Sequence, residues 1–212
     1  MNNLERLLLG SRTAVLVIDV QNDYCHHNGA LASDGNDVSG VAVMMPNLHG
    51  LLSSARASGV PVIFIQTIHE AATDSDAWKM RAAGKMSSVC RRGSWGAEFF
   101  EVSPEPGEVI VNKHRYSAFI NTRLDSVLRA QKIETLIVTG VSTNVCVEST
   151  ARDGYMLDYS VILASNACAA YSKQAHEMTL ENIAGFFGTV ADTQAMIDVW
   201  SQAEQSVILS RN

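Results

Sequence analysis

Short and nearly uninterrupted apolar runs recur along this chain, each separated from the next by a segment with helical spacing. The runs are rich in β-branched residues and too short for helices, so they are predicted to be strands. The predicted strands are residues 14–20, 60–66, 109–112, 135–139, 160–164 and 188–190. Strands that are apolar on both faces are typical of a parallel sheet covered by helices on both sides.

The segments between the predicted strands carry mixed apolar and polar faces, as helices packed on a sheet do. The predicted helices are residues 38–58, 122–131, 145–156, 173–186 and 192–205, the last capped by Asp192. This alternation predicts an α/β fold with three layers, a doubly wound, mostly parallel six-stranded sheet with helices on both faces. The 212 residues suit a single domain, 1–212.

Charge and composition narrow the possible partners. The net charge is −6 without any Lys/Arg-rich arm, so nucleic acids and anionic membrane surfaces are not expected partners. No apolar run approaches the length of a membrane span, and the first ten residues lack the basic start of a signal peptide, so a cytoplasmic protein is expected. The four cysteines include no CxxC pair, which argues against a disulfide scaffold or a zinc ribbon.

Residues 71–107 interrupt the regular pattern. Their periodicity is weak apart from a possible short helix over 76–83, and they contain Trp78 and Trp95. Long irregular insertions in compact domains often form a lid or an interface, although this one is also compatible with a surface excursion packed by its own aromatic residues.

Cys146 lies in the segment 140–147, directly after a predicted strand and at the start of a predicted helix. The positive end of a helix favours thiolate over thiol, and the unpaired N–H groups there can bind an oxyanion. Most free cysteines only fill the core, which is the interpretation for the other three. These are Cys25, Cys90 and Cys168.

Asp19 closes the first predicted strand, Lys113 closes the third, and Cys146 follows the fourth. The carboxyl ends of parallel strands share one edge of the sheet, where ligands bind, so these three side chains are expected to converge. The carboxylate can accept the thiol proton and return it to a leaving amine, and the ammonium lowers the pKa of the cysteine. Together they form a candidate nucleophilic site without a histidine.

Residues 14–23, 113–119 and 140–147 resemble the isochorismatase-like cysteine hydrolases, and the resemblance covers nearly the whole chain. The resemblance implies that Asp19, Lys113 and Cys146 are a catalytic triad that acts through a thioester and needs no cofactor. It also implies a cis peptide bond between Val141 and Ser142, with the backbone N–H groups of Ser142 and Cys146 facing the oxyanion.

Metal-dependent nicotinamidases of this family hold their metal through an Asp-x-His pair and a further histidine. This chain has Thr67 and His69 at the pair and no second histidine over residues 71–86, so no metal is predicted. Three alternatives remain: a nicotinamidase-like enzyme, another small carboxamide or N-carbamoyl amino acid hydrolase, and a non-catalytic binding or assembly protein. The family also commonly forms dimers and tetramers, which implies a homo-oligomer with the region of Trp95 as a candidate contact.

Residues 90–99, 113–119 and 146–154 resemble the branch of ureidoacrylate, biuret and triuret hydrolases, which cleave a C–N bond of small linear ureides. Such planar, polar substrates need hydrogen-bonding partners and an aromatic wall. The candidate substrate-binding residues are Gln21, Asn22, Tyr24, Arg92, Trp95, Tyr116 and Phe119. Turn formation, rim charge and core packing are the competing interpretations for them. His176 and Glu177 are interpreted as structural.

Overall fold

The computed structural model describes residues 2–81 and 88–210, and in this part of the chain six parallel strands form one sheet in the order β3-β2-β1-β4-β5-β6. The strands are β1 (Thr13–Ile18), β2 (Val62–Thr67), β3 (Val109–Lys113), β4 (Thr135–Val141), β5 (Ser160–Ala169) and β6 (Thr189–Ala191). The predicted α/β fold with a doubly wound parallel sheet is therefore confirmed.

The helices alternate with the strands along the chain. They are α1 (Asn3–Gly10), α2 (Asn22–Cys25), α3 (Ala30–Ser33), α4 (Ser39–Ala57), α5 (Asp76–Arg81), α6 (Leu124–Ala130), α7 (Glu148–Met156), α8 (Lys173–Phe186) and α9 (Thr193–Ser210). None of the helices in the described ranges is both long enough and apolar enough to cross a bilayer.

Two hydrophobic cores lie on opposite faces of the sheet, which gives the fold its three layers. Successive side chains of a strand point to opposite faces, so every second residue of β1 enters the same core. Val15 and Val17 pack in the core that contains apolar residues of α1, α4 and α9. Leu16 and Ile18 pack in the other core, with apolar residues of α6, α7 and α8.

Some element bounds differ from those predicted. β5 extends to Ala169, five residues beyond the predicted end, because it pairs with β4 again after an irregularity in register. The segment after β4 begins with a π-helical turn, Thr143–Val147, before α7 starts at Glu148. α1 was not predicted, and its first turn is closed by reciprocal hydrogen bonds between Asn2 and Glu5. The end of the predicted helix 76–83 lies outside the described residues.

The strand order brings the candidate residues to one edge of the sheet. Asp19 follows β1, Lys113 ends β3, and Cys146 lies in the π-helical turn after β4. β1 and β4 are neighbours, but the chain winds away from them in opposite directions, which is where open α/β sheets bind ligands. Gly140 allows the two strands to approach closely here, since a Cβ at this position would lie 2.0 Å from the carbonyl oxygen of Ile18.

Candidate active site

Asp19 and Lys113 form an ion pair beneath the carboxyl edge of the sheet. The Lys113 Nζ lies 2.8 Å from Asp19 Oδ2, and each side chain is only 1% exposed. The other carboxylate oxygen, Oδ1, accepts a hydrogen bond of 2.9 Å from the hydroxyl of Thr67 at the end of β2. Three strand ends therefore hold one buried carboxylate in a fixed orientation.

The Lys113 ammonium connects the carboxylate with the thiol. Its Nζ donates hydrogen bonds to the backbone oxygen of Arg115 at 2.9 Å and to Cys146 Sγ at 3.4 Å. Burial by itself lowers the pKa of Lys113, but the negative charge of Asp19 and the hydrogen bonds to Asp19 and Cys146 outweigh this effect and raise the pKa above its usual value. The ammonium therefore stays protonated across the physiological pH range.

Cys146 is held in the π-helical turn by its own carbonyl group, which accepts a hydrogen bond of 2.7 Å from Thr150. Burial raises the pKa of the Cys146 thiol to about 12, Lys113 opposes the shift, and Asp19 adds to it. Burial therefore opposes the thiolate that the sequence predicts at neutral pH, and the contact with Lys113 favours it. Burial is the larger effect because a thiolate away from water loses its hydration.

Asp19 has an oxygen positioned to receive the proton of the Cys146 thiol. Its Oδ2 lies 2.8 Å from the Lys113 ammonium. A carboxylate oxygen has more than one lone pair, so Oδ2 can also accept a proton from a neighbouring thiol. The cluster can therefore generate a thiolate by internal proton transfer.

The chain enters the turn through the Val141–Ser142 peptide bond, which is cis, as the resemblance implies. The Ser142 carbonyl oxygen accepts hydrogen bonds from the N–H groups of Val145 and Val147, and its hydroxyl donates to Asn144 at 2.9 Å. These contacts fix the backbone on both sides of Cys146.

Cys146 opens onto a cavity of about 250 Å³. The lining residues come from α2, from the ends of β2 and β3 and the loops after them, from α5 and from the π-helical turn. They are Tyr24, Thr67, His69, Ser75, Ala77, Trp78, Arg81, Lys113, His114, Arg115, Tyr116 and Cys146. The volume is that of a small molecule of a few heavy atoms, and aromatic rings form part of its wall.

Of the predicted substrate-binding residues, only Tyr24 and Tyr116 line this cavity. Gln21 is completely buried below it. Its side chain donates to the carbonyl groups of Thr67 and Ala97 and accepts from the N–H of Thr67. All the hydrogen bonds of this amide are satisfied internally, so Gln21 joins β2 to the insertion and does not face a ligand.

The remaining predicted substrate-binding residues lie elsewhere for identifiable reasons. Arg92 forms an ion pair with Glu70 on the surface. Trp95 packs edge-on against His26, with ring centroids 5.1 Å apart, and its carbonyl accepts the side chain of Asn22. These contacts place Arg92 at the rim of the protein surface. Trp95 and Asn22 instead stabilise the turns in which they lie.

Phe119 packs in a hydrophobic core. Its ring stacks on Tyr159 with centroids 5.9 Å apart, and it approaches Gly154 of α7. His176 contacts the π-helical turn from α8, because its Nδ1 lies 2.9 Å from the hydroxyl of Thr143. Glu177 is exposed and lies 3.6 Å from Lys173.

The residues at the family's metal position do not fit a metal ion. Thr67 hydrogen-bonds to Asp19, and His69 stacks on Trp78 with ring centroids 4.4 Å apart. Burial lowers the pKa of His69 to about 4, and its Nδ1 lies 3.8 Å from Asp74. No group of three His, Cys, Asp or Glu side chains with metal-binding geometry occurs among the residues that the structure describes.

Sequence reasoning missed several residues of the cavity wall. Arg115 follows Lys113 by two positions at the same strand end, a placement that could have indicated it. Trp78 and Arg81 lie on the short helix α5 inside the irregular insertion, and only the fold shows that this helix covers the cavity.

Comparison with known proteins identifies the class of this chain. Residues 13–195 match the model of the isochorismatase domain. The chain therefore belongs to the isochorismatase family, as the sequence motifs predicted.

Individual relatives refine this assignment. The chain is similar to the ureidoacrylate amidohydrolase RutB of Stutzerimonas stutzeri (strain A1501), with 37% identity over 94% of this chain and 87% of that protein. It is also similar to the crystal structure of a cysteine hydrolase from Pseudomonas syringae pv. phaseolicola 1448A, with a TM-score of 0.84, 34% identity, and coverage of 96% of this chain and 95% of that one.

A more distant likeness is to the crystal structure of the nicotinamidase PncA from Bacillus subtilis. The TM-score is 0.74 and the identity is 25%, over 85% of this chain and 99% of that one.

Proposed function

We propose that this protein is a cysteine amidohydrolase that cleaves a C–N bond of a small linear ureide of the ureidoacrylate, biuret or triuret type. The observation that carries the proposal is the buried contact of Lys113 with both Asp19 and Cys146 at the floor of the cavity. The relatives named as ureidoacrylate amidohydrolases support the substrate class. Asp19, Lys113 and Cys146 are the proposed catalytic residues.

The first half of the reaction transfers the acyl group to sulfur. Asp19 takes the proton from the Cys146 thiol, and the thiolate attacks the carbonyl carbon of the ureide. The backbone N–H groups of Ser142 and Cys146 are the proposed donors to the oxygen that becomes negative. As the C–N bond breaks, Asp19 gives its proton to the departing nitrogen, so ammonia or an amine leaves and a thioester remains.

The second half regenerates the thiol. A water molecule loses a proton to Asp19 and attacks the thioester carbonyl, and the C–S bond breaks. The proton passes from Asp19 to the sulfur, and a carbamate leaves. Lys113 stays positively charged throughout and stabilises whichever of Asp19 and Cys146 is negative at each step.

We further propose that the protein acts without a metal or cofactor, as a homodimer or homotetramer in the cytoplasm. The side chain of Thr67 supports a mechanism without a metal. It occupies the place of a metal ligand of the family, and its hydroxyl already hydrogen-bonds to Asp19. The homo-oligomer is proposed because members of the family commonly form dimers and tetramers.

An ammonia-release screen tests the proposal with biuret, triuret, a ureidoacrylate analogue, N-carbamoyl amino acids and nicotinamide. We expect turnover of at least one linear ureide and a kcat that falls by at least about a thousandfold in Cys146→Ser. Cys25→Ala is the matched control, since Cys25 is buried in a core away from the cavity and should keep near-normal turnover. Turnover of nicotinamide alone, or full activity in Cys146→Ser, would refute the proposal.

A further inference from the structure

The cavity above Cys146 is lined by cations, although the chain as a whole has a net charge of −6. Lys113, Arg115 and Arg81 contribute positive side chains, and none of the residues that line the cavity carries a carboxylate. The charge of Lys113 is balanced by Asp19 below the cavity floor. The two guanidinium groups therefore give the open part of the cavity a positive potential.

Arg115 is held in place without being neutralised. Its Nη1 donates hydrogen bonds to the backbone oxygens of Thr73 at 3.2 Å and His114 at 2.6 Å. In the described part of the chain, its Nε and Nη2 make no hydrogen bond, and no carboxylate pairs with it. A guanidinium that is fixed by neutral carbonyl groups keeps its full charge and an open edge for a planar anion.

The acidic residues near the cavity mouth are engaged with other cations. Their ion pairs are Asp74 with Arg91, Glu70 with Arg92, and Asp76 with Lys79. Residues 82–87, which follow α5 in the sequence, contain one lysine and no acidic residue. No carboxylate of the loop sequence is therefore left to balance the guanidinium groups of Arg81 and Arg115.

Arg115 lines the same cavity as Cys146. The cavity has a volume of about 250 Å³, and the Lys113 Nζ contacts both Cys146 Sγ, at 3.4 Å, and the backbone oxygen of Arg115, at 2.9 Å. A ligand in so small a cavity can contact both side chains when only a few bonds separate its carboxylate from its carbonyl, as in a short ureido acid.

We infer that the substrate is an anion, a ureide that carries a carboxylate, and that Arg115 binds this carboxylate while Cys146 attacks the ureide carbonyl, with Arg81 adding to the positive potential. The inference rests on the proposed function and narrows it. It favours ureido acids, such as ureidoacrylate and N-carbamoyl amino acids, over the neutral molecules biuret, triuret and nicotinamide. It also moves the anion-binding role from Arg92 to Arg115.

The first test compares 3-ureidopropionate with propylurea, which has the same ureide group without a carboxylate. We expect kcat/KM for the acid to exceed that for propylurea by about 10- to 100-fold, the value of a charge-assisted hydrogen-bonded pair. Arg115→Met should lower this ratio by a similar factor. Arg129→Gln is the matched control, since it removes the same charge from an exposed ion pair with Asp125 on α6, outside the cavity, and should leave the ratio within about twofold.

The second test does not depend on ureide turnover. It compares alkylation of Cys146 by anionic iodoacetate and by neutral iodoacetamide, followed by peptide mass spectrometry. We expect the ratio of the iodoacetate rate to the iodoacetamide rate to be at least about tenfold higher in the native protein than in Arg115→Met. Arg129→Gln should leave this ratio unchanged.

The outcomes distinguish the carboxylate inference from the proposed function. Equal use of both ureides, with an alkylation ratio that Arg115→Met does not change, would overturn the carboxylate inference and leave the ureide function standing. Preferential alkylation by iodoacetate without hydrolysis of any ureide would refute the proposed function and retain an anion site at Arg115.

Discussion

The Lys113 ammonium lies 2.8 Å from the Asp19 carboxylate, and both groups are almost completely removed from water. A buried pair of this kind contributes little to net stability, because desolvation of the two ions offsets their attraction. Removal of one partner leaves the other charge buried and uncompensated. Removal of one partner of this pair should therefore lower the free energy of unfolding more than removal of one partner of an exposed ion pair.

Lys113→Met is expected to lower the free energy of unfolding by about 3–5 kcal/mol, since Asp19 then remains buried without a counter-charge. The double variant Asp19→Asn/Lys113→Met is expected to be more stable than Lys113→Met alone. Urea unfolding measures all members of the cycle, with the exposed ion-pair variant Lys79→Met as a control that changes stability by less than about 1 kcal/mol. Strictly additive effects at the two positions would contradict a buried, coupled pair.

The reactivity of the Cys146 thiol is expected to depend steeply on pH. Burial raises its pKa to about 12, so the thiolate fraction of the free protein grows as the pH rises through the whole range from 7 to 10. Iodoacetamide labelling of the Cys146 peptide should therefore accelerate continuously up to pH 10. A plateau reached near neutral pH would show that the resting protein already holds a thiolate.

His69 is expected to make the protein less stable in acid. Its pKa is lowered from 6.5 to about 4 by burial, so below pH 6.5 the unfolded chain binds a proton that the folded protein does not. The stability contributed by neutral His69 is present above pH 6.5 and is lost as the pH falls toward 4, by roughly 3 kcal/mol in total. Between pH 7 and pH 4, the free energy of unfolding of His69→Gln should fall by roughly 3 kcal/mol less than that of the native protein.

The matched control for this measurement is His49→Gln, because His49 is exposed on α4. Its unfolding free energy should follow the same pH dependence as that of the native protein. If His69→Gln and His49→Gln behaved alike, burial of His69 would have no energetic consequence in acid.

Gly140 is expected to be irreplaceable at the junction of β1 and β4. Its φ is +108°, and a Cβ would meet the carbonyl oxygen of Ile18 at 2.0 Å, so Gly140→Ala should destabilise the protein by about 3 kcal/mol or more. Gly107→Ala separates backbone strain from collision, since Gly107 has φ +95° and open space around it. We expect this control to lose about 1–2 kcal/mol. Thermal or urea unfolding that ranks the two variants equally would contradict the close approach.

Much of the fold could be predicted because its strands are buried on both faces. Continuous apolar runs such as the one before Asp19 have few alternatives to a central parallel strand, and the strand ends then place Asp19, Lys113 and Cys146 together. The predictions for β5 and for the start of α7 were less accurate. Pairing beyond a register shift and a π-helical turn are tertiary effects with no local sequence signal.

The wall of the cavity was harder to predict than its floor. Aromatic and polar residues near the motifs, such as Trp95, Phe119 and Gln21, have partners that only the folded chain provides. Trp78 belongs to a short helix without buried residues, whose position over the cavity depends on contacts distant in sequence. Burial also raises the pKa of the Cys146 thiol, an effect that the local helix geometry does not reveal.

Mass spectrometry of the enzyme quenched in acid during turnover of 3-ureidopropionate shows whether Cys146 carries the acyl group during C–N cleavage. We expect the added mass of the acyl group on the peptide that contains Cys146 and its release by hydroxylamine. Cys146→Ala should show neither the added mass nor turnover. An acyl group on any other residue, or undiminished turnover in Cys146→Ala, would contradict this role of Cys146.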